Sequence, residues 1–265
     1  MRTPQLTPIV KAIIVINIIV FIVQRINPQY DNQIDSLFGL HYFSSKLFNP
    51  IQFVTYMFIH ADSRHIFFNM LGLYFLGPTL EKLWGEQRFL IFYFVTGVGA
   101  GLFYMALQYY DIHPLETLAN NFLLNPEGNN YVTFVNKLYS NLGINDYPAM
   151  DRGFTIANDQ ITEYKITVEN SLRNVVDTPM VGASGAGFGI MAAFALLFPN
   201  TEFMLFPFPF PIKAKYFVTL YALYEIYAGI KRMPGDNVAH FAHIGGMIFA
   251  FILIKMWGSK RDTFY

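Results

Sequence analysis

Residues 88–110 read RFLIFYFVTGVGAGLFYMALQYY, a run of 23 with one charged residue at its start and none after it. At 1.5 Å per residue such a helix reaches about 34 Å, enough to cross the ~30 Å apolar core of a bilayer. Its apolar side chains cover every face, which suits lipid on all sides better than the single stripe of a water-soluble helix. Five more runs have the same character: 9–24 (IVKAIIVINIIVFIVQ), 64–83, 182–199, 212–230 and 238–257. Run 9–24 follows Arg2 and contains Lys11 but leads into QRINPQYDNQ with no small-residue cleavage site, so it reads as a retained signal-anchor. The expectation is an all-α membrane protein, a bundle of six transmembrane helices.

Composition agrees with the runs. Of 265 residues, 54% are hydrophobic and 14% charged, against about 25% charged in ordinary soluble domains. Zero net charge leaves no basic field for nucleic acid. The lack of cysteine removes disulfides, thiolate metal sites and a cysteine nucleophile.

Residues 111–178 break the pattern. They are polar, with nine acidic residues against four basic. They divide the chain into a first membrane part (1–110), a polar extracytoplasmic insert (111–178) and a second membrane part (179–265). Basic residues gather near the N-terminus, at Lys82 and Arg88, at Lys213 and Lys215, and at Lys255, Lys260 and Arg261. With six spans these places share one side, the cytoplasmic one by the positive-inside rule, and both termini lie there. The insert then lies outside, and Lys231 and Arg232 are exceptions. The alternating prolines of 206–211 (FPFPFP) exclude an ordinary helix and suit an interfacial connection. Gly97 with Gly101, Gly185 with Gly189 and Gly246 with Ala250 recur at helical spacing, as close helix packing in lipid requires.

Polar side chains inside apolar spans are costly, so each is a candidate for function. His65 and Asn69 are four apart and share a helix face, where they can donate to an anion. His60 precedes that span and reads as a loop brace. Ser184, between Gly182 and Gly185 near a helix start, has unpaired backbone N–H groups at hand for an oxyanion. Alone, a serine beside glycines reads more readily as packing. His243 lies at the same depth and side as Ser184, and imidazole is the usual base for a hydroxyl nucleophile. His240 lies one turn earlier. With no acidic residue in the sixth span and Asp236 in the preceding loop, a Ser184–His243 dyad is expected rather than a triad; Glu225 is the one candidate third member.

Together HADSRHIFFNM (60–70), GASGAGFGIMAAFALLFPN (182–200) and AHFAHIGGMIFA (239–250) resemble the rhomboid intramembrane serine proteases, in order and in placement on spans two, four and six. The resemblance implies Ser184 as nucleophile, His243 as base and acid, and His65, Asn69 and the Ser184 N–H as the oxyanion hole. It also implies Phe188 stacking on His243, His60 and His240 in supporting roles, and Gly182 and Gly246 as close-packing positions. The Trp-Arg pair common in the family's first loop is replaced by Ile51-Gln52, and the insert is unusual. Transmembrane proteins are the substrates implied, cut near the outer face of the lipid bilayer, and a bacterial cytoplasmic membrane is the expected location. No metal or nucleotide motif is present, so no cofactor is expected. Two other readings compete: a non-catalytic rhomboid-like binder, and a metal transporter using His60, His65, His240 and His243.

Overall fold

The computed structural model describes residues 5–144, 153–204, 210–232, 236 and 238–258. Each of the six apolar runs is a helix: α1 (Pro8–Ile26), α4 (Ser63–Trp84), α5 (Glu86–Leu124), α8 (Ser184–Leu197), α9 (Ala214–Lys231) and α10 (His240–Trp257). Helices α2 (Pro28–Phe38) and α3 (Gln52–Thr55) lie in the first loop, and α6 (Gly128–Asn141) and α7 (Ile161–Val176) lie between α5 and α8. Three helices among the described residues, α1, α5 and α10, are long and apolar enough to cross a membrane. Helix α8 is apolar but has only 14 residues.

Local chemistry explains the boundaries. Pro8 starts α1, where a missing N–H costs nothing. The Glu81 carboxylate from the end of α4 accepts from Ile9 N, Val10 N and the Thr7 hydroxyl, satisfying donors that every helix start leaves open. Asp62 caps α4, accepting from the backbone N–H of Arg64 at 2.8 Å and of His65 at 3.0 Å. Those two bonds, His65's foremost, hold its carboxyl below the usual carboxylate range. Where the first loop carries Ile51-Gln52, Gln52 is fully buried and uses all four of its hydrogen-bonding positions. Its amide donates to Leu37 O and Leu47 O, and its oxygen accepts from His41 N and Asn49 N.

The third apolar run does not stop at residue 110. Helix α5 continues through Pro114 to Leu124, 39 residues or about 58 Å, nearly twice the ~30 Å of a bilayer's apolar core. The reason is a second core: Leu115, Ala119 and Phe122 of this extension pack with Tyr131, Phe134 and Val135 of α6 and Val168 of α7. The acidic segment is therefore a small helical unit built on α5. Arg232, an exception to the charge pattern, pairs with Asp111 at its base, one guanidinium nitrogen donating to both carboxylate oxygens.

Beyond α8, a two-stranded hairpin pairs β1 (Glu202–Met204) with β2 (Pro211–Lys213). Most of the FPFPFP stretch lies outside the described residues.

Helix α8 is the hub. Ten of its 14 residues are buried, and α4, α5, α9 and α10 surround it. Glycines set the separations. A Cβ on Gly246 would stand 1.9 Å from Gly185 O, so the α10 and α8 backbones touch. The perimeter is apolar by contrast: Ile19 and Ile22 on α1, and Leu220, Tyr224 and Tyr227 on α9, are all exposed.

Candidate active site

Ser184 is the first residue of α8, so its hydroxyl lies beside a helix N-terminus. Gly182 turns the chain into that helix at φ +122°, a region that side-chain-bearing residues avoid. Its N–H donates to Tyr56 O at 2.9 Å. His243, on the first turn of α10, is buried, and its Nε2 lies 2.9 Å from Ser184 Oγ. The Phe188 ring, one turn after Ser184, stacks on the imidazole at 4.0 Å and 8°. Such a pair is worth about 0.5–1.5 kcal/mol beyond its area and fixes the ring plane.

A third group stands beside the expected Ser184–His243 dyad. Glu225 of α9 is buried, and its Oε2 lies 2.7 Å from His243 Nδ1. The same oxygen is 2.7 Å from His240 Nδ1, and His240 Nε2 is 3.0 Å from Asp236 Oδ2. No acidic residue on α10 itself is needed, because α9 packs against α10 and brings the carboxylate from another helix. Burial pushes the Asp236 carboxyl up, but the hydrogen bond from His240, aided by the Val238 N–H, more than offsets this and leaves it below its ordinary value.

A carboxylate oxygen only accepts, so His243 Nδ1 carries the proton and Nε2 is left to accept from the Ser184 hydroxyl. That is the arrangement a general base needs. Glu225, His240 and His243 also present ligand atoms within 4.8 Å of one another. Two ligands on a tetrahedral zinc, each about 2.0 Å from it, stand about 3.3 Å apart, whereas both contacts here are 2.7 Å, a hydrogen-bond length. His60 and His65 pair with each other, rings edge to face at 5.1 Å, and neither belongs to that group of ligand atoms.

On the other side of Ser184, His65 lies against Gly182: a Cβ there would fall 2.5 Å from His65 Cε1. Asn69, one helical turn on, has a buried Nδ2 with no acceptor among the described residues. A buried unpaired donor is rare, because it forfeits a hydrogen bond to water. His60 is fully buried, and its backbone is held by Gln24 and by Arg25 from the end of α1.

A cavity of about 280 Å³ opens behind His240, between α5 and the α9–α10 connection, bordered by Gln108, Asp111, Arg232 and Asp236. The sequence reading did not single out Tyr56. Its carbonyl holds Gly182 and its hydroxyl donates to Gly97 O at 2.7 Å, and nothing in the local pattern announces either bond.

Comparison with known proteins follows the same residues. The Rhomboid domain matches residues 48–113 and 159–260, more than half of the chain, including Ser184, His243, Glu225, His65 and Asn69. An uncharacterized mitochondrial rhomboid protein of Schizosaccharomyces pombe is 30% identical over 230 residues, 80% of this chain and 52% of that protein. Rhomboid protease AarA of Providencia stuartii is 38% identical over 56 residues, 21% of this chain and 20% of that one. The mitochondrial RHOMBOID-like protein 12 of Arabidopsis thaliana is 30% identical over 97 residues, 37% and 28% of the respective chains. The chain thus spans about half the length of the first relative and less of the others. Two of the three are named as mitochondrial, so the expected bacterial cytoplasmic membrane gains no support from them. The domain match, over residues that include both halves of the helical core, shows that the chain belongs to the rhomboid family.

Proposed function

We propose that this protein is an intramembrane serine endopeptidase that cuts transmembrane proteins near the outer face of a bilayer. The observation that carries the proposal is the 2.9 Å contact between Ser184 Oγ and His243 Nε2. It joins a hydroxyl at a helix N-terminus to an imidazole of the correct tautomer.

In this reading Ser184 Oγ attacks the scissile carbonyl carbon while His243 Nε2 takes its proton. The carbonyl oxygen becomes an oxyanion, received by the Ser184 N–H, the His65 ring and Asn69 Nδ2. The unsatisfied Asn69 donor supports that role. His243 then gives its proton to the leaving amine, and the acyl group remains on Ser184. A water, deprotonated by His243, attacks the acyl carbon; the bond to Ser184 Oγ breaks, His243 returns the proton to Oγ, and the carboxyl product leaves.

Six helices cross the membrane in this reading, with both termini on the cytoplasmic side and residues 111–178 outside. Helix α8 supports a recessed site. Its 14 residues span about 21 Å against a ~30 Å apolar core, so Ser184 at its outer end lies below the membrane surface.

The test is cleavage of a single-pass substrate in proteoliposomes by the wild type, Ser184→Ala and His243→Ala. Both variants are expected to lose cleavage, and Ser184→Ala to lose labelling by a fluorophosphonate. Cleavage retained by Ser184→Ala sinks the mechanism.

A further inference from the structure

Glu225 is a carboxylate on a helix whose neighbouring side chains Leu220, Leu223, Tyr224 and Tyr227 face outward and are largely apolar. Isolated there, its charge would be expensive, and the cheap outcome would be protonation. The structure surrounds it differently. One oxygen receives Nδ1 of both His243 and His240 at 2.7 Å, and His240 in turn reaches Asp236 in the outer loop at 3.0 Å. Between two ionised carboxylates, which only accept, both ring nitrogens of His240 donate, and such a ring is an imidazolium. An imidazolium beside Glu225 supplies the counter-charge that keeps the carboxylate ionised. Asp236, with its side chain 26% exposed, supplies the counter-charge for the imidazolium and ends the row at the loop.

The other titratable groups close to this row do not supply that charge. Tyr221 and Tyr224 are phenols on α9, Tyr221 edge-on to Phe188 and Tyr224 edge-on to His240. His65 of α4 lies against Gly182 and is no anion or committed cation of the row. Arg232 is committed to Asp111.

We propose that Glu225 is a positioning residue for His243, kept ionised by His240 and Asp236, so that a hydrogen-bonded row of five groups runs from Ser184 to the outer loop. The proposal rests on the protease reading. At rest the row carries Glu225 and Asp236 as anions and His240 as a cation, one net negative charge. When His243 takes the serine proton the row becomes neutral, and the charge that develops is the one the row lacked. This arrangement holds the Nδ1–H tautomer and favours the protonated base in the transition state. It acts through His243 and touches no substrate.

The experiment uses the full chain in proteoliposomes with a fluorogenic single-pass substrate. Glu225→Gln keeps the volume but lets an amide donate to Nδ1, which inverts the tautomer. A loss of about 10²-fold or more in kcat with KM within twofold is expected. Asp236→Asn, in the loop and remote from packing, should lower kcat about three- to tenfold. The double variant should be no slower than Glu225→Gln alone, because the charge Asp236 sustains is already gone. Thermal melting in detergent checks that each variant is folded. Near wild-type kcat in folded Glu225→Gln overturns the inference, and so do losses that multiply in the double variant, which independent packing defects would produce. If Glu225→Gln does not fold, Asp236→Asn alone decides, and unchanged kcat there overturns the inference. Ser184→Ala runs alongside: cleavage retained by it overturns the protease reading itself, while cleavage lost there and kept in Glu225→Gln overturns only the role given to Glu225.

Discussion

Adding one methyl group at Gly246 should disable the site while leaving the fold nearly intact. The Cβ of Gly246→Ala would stand 1.9 Å from Gly185 O and 2.8 Å from its carbonyl carbon. A tolerable carbon–oxygen contact is about 3.3 Å, so α8 and α10 must separate by about 1.4 Å there. Gly185 follows Ser184 directly, and Gly246 lies one turn past His243. Most of the shift is therefore felt between Oγ and Nε2, and their 2.9 Å separation opens to about 4 Å, outside proton-transfer reach. A misplacement of about 1 Å costs on the order of 10²-fold in rate. Stability should move less. Overpacking costs about 1–3 kcal/mol, and Gly→Ala in a helix returns about 1 kcal/mol, a net loss of about 0–2 kcal/mol. Proteoliposome cleavage and fluorophosphonate labelling measure the first quantity, and detergent melting the second. Gly187→Ala is the control, since its Cβ would meet nothing within 4 Å on the same helix; it should gain about 0.5–1 kcal/mol and lose no activity. Gly246→Ala with a cleavage rate within threefold of wild type would refute the claim that this backbone contact sets the serine–histidine distance.

Gly182→Ala meets both a φ of +122° and the His65 ring at 2.5 Å; it should cost about 1–3 kcal/mol in melting experiments and reduce kcat more than KM. Gln52→Ala strands two backbone donors and two carbonyls of the first loop, a loss of about 2–4 kcal/mol that a wild-type melting point would contradict. Asp62→Ala should cost about 1 kcal/mol as a lost cap. Because its folded value is depressed, the wild type holds that increment above the unfolded value near pH 4 and loses it as pH falls through the lower, folded one. The Asp62→Ala and wild-type melting curves should therefore converge as pH falls below that lower, folded value and stay parallel from pH 5 to 8.

The residues that face Ser184 were legible because each sits in a contiguous pattern. His65 and Asn69 share a face by spacing alone, and Gly182 and Gly185 flank the serine in sequence. Glu225 was visible as a lone carboxylate in an apolar run, yet its partnership with His243 was not. That contact depends on the rotation of α9 about its axis relative to α10, and no local pattern encodes a relative rotation. The end of the third apolar run misled for another reason. Asp111, His113 and Pro114 look like a boundary, but the helix continues because Leu115, Ala119 and Phe122 have a second core to enter. Helix burial by tertiary partners overrides a polar or proline signal that is only local. The buried amide of Gln52 stands where the family resemblance implied a Trp-Arg pair, and the sequence showed the departure without its compensation: four hydrogen bonds supplied by the loop.

The carboxylate of Glu81 reaches back more than seventy residues to the start of α1. During synthesis the first helix leaves the ribosome well before its cap does. Until α4 is complete, α1 has open N–H groups at its tip and no fixed neighbour to close them. Its insertion and its docking are thus separate events in time, and the second waits on the chain length. A nascent chain stopped short of residue 81 should hold α1 in the bilayer but free to turn. One long enough for residue 84 to have left the ribosome should lock it, so cross-linking from Val10 to α4 would date the moment at which the bundle begins to assemble.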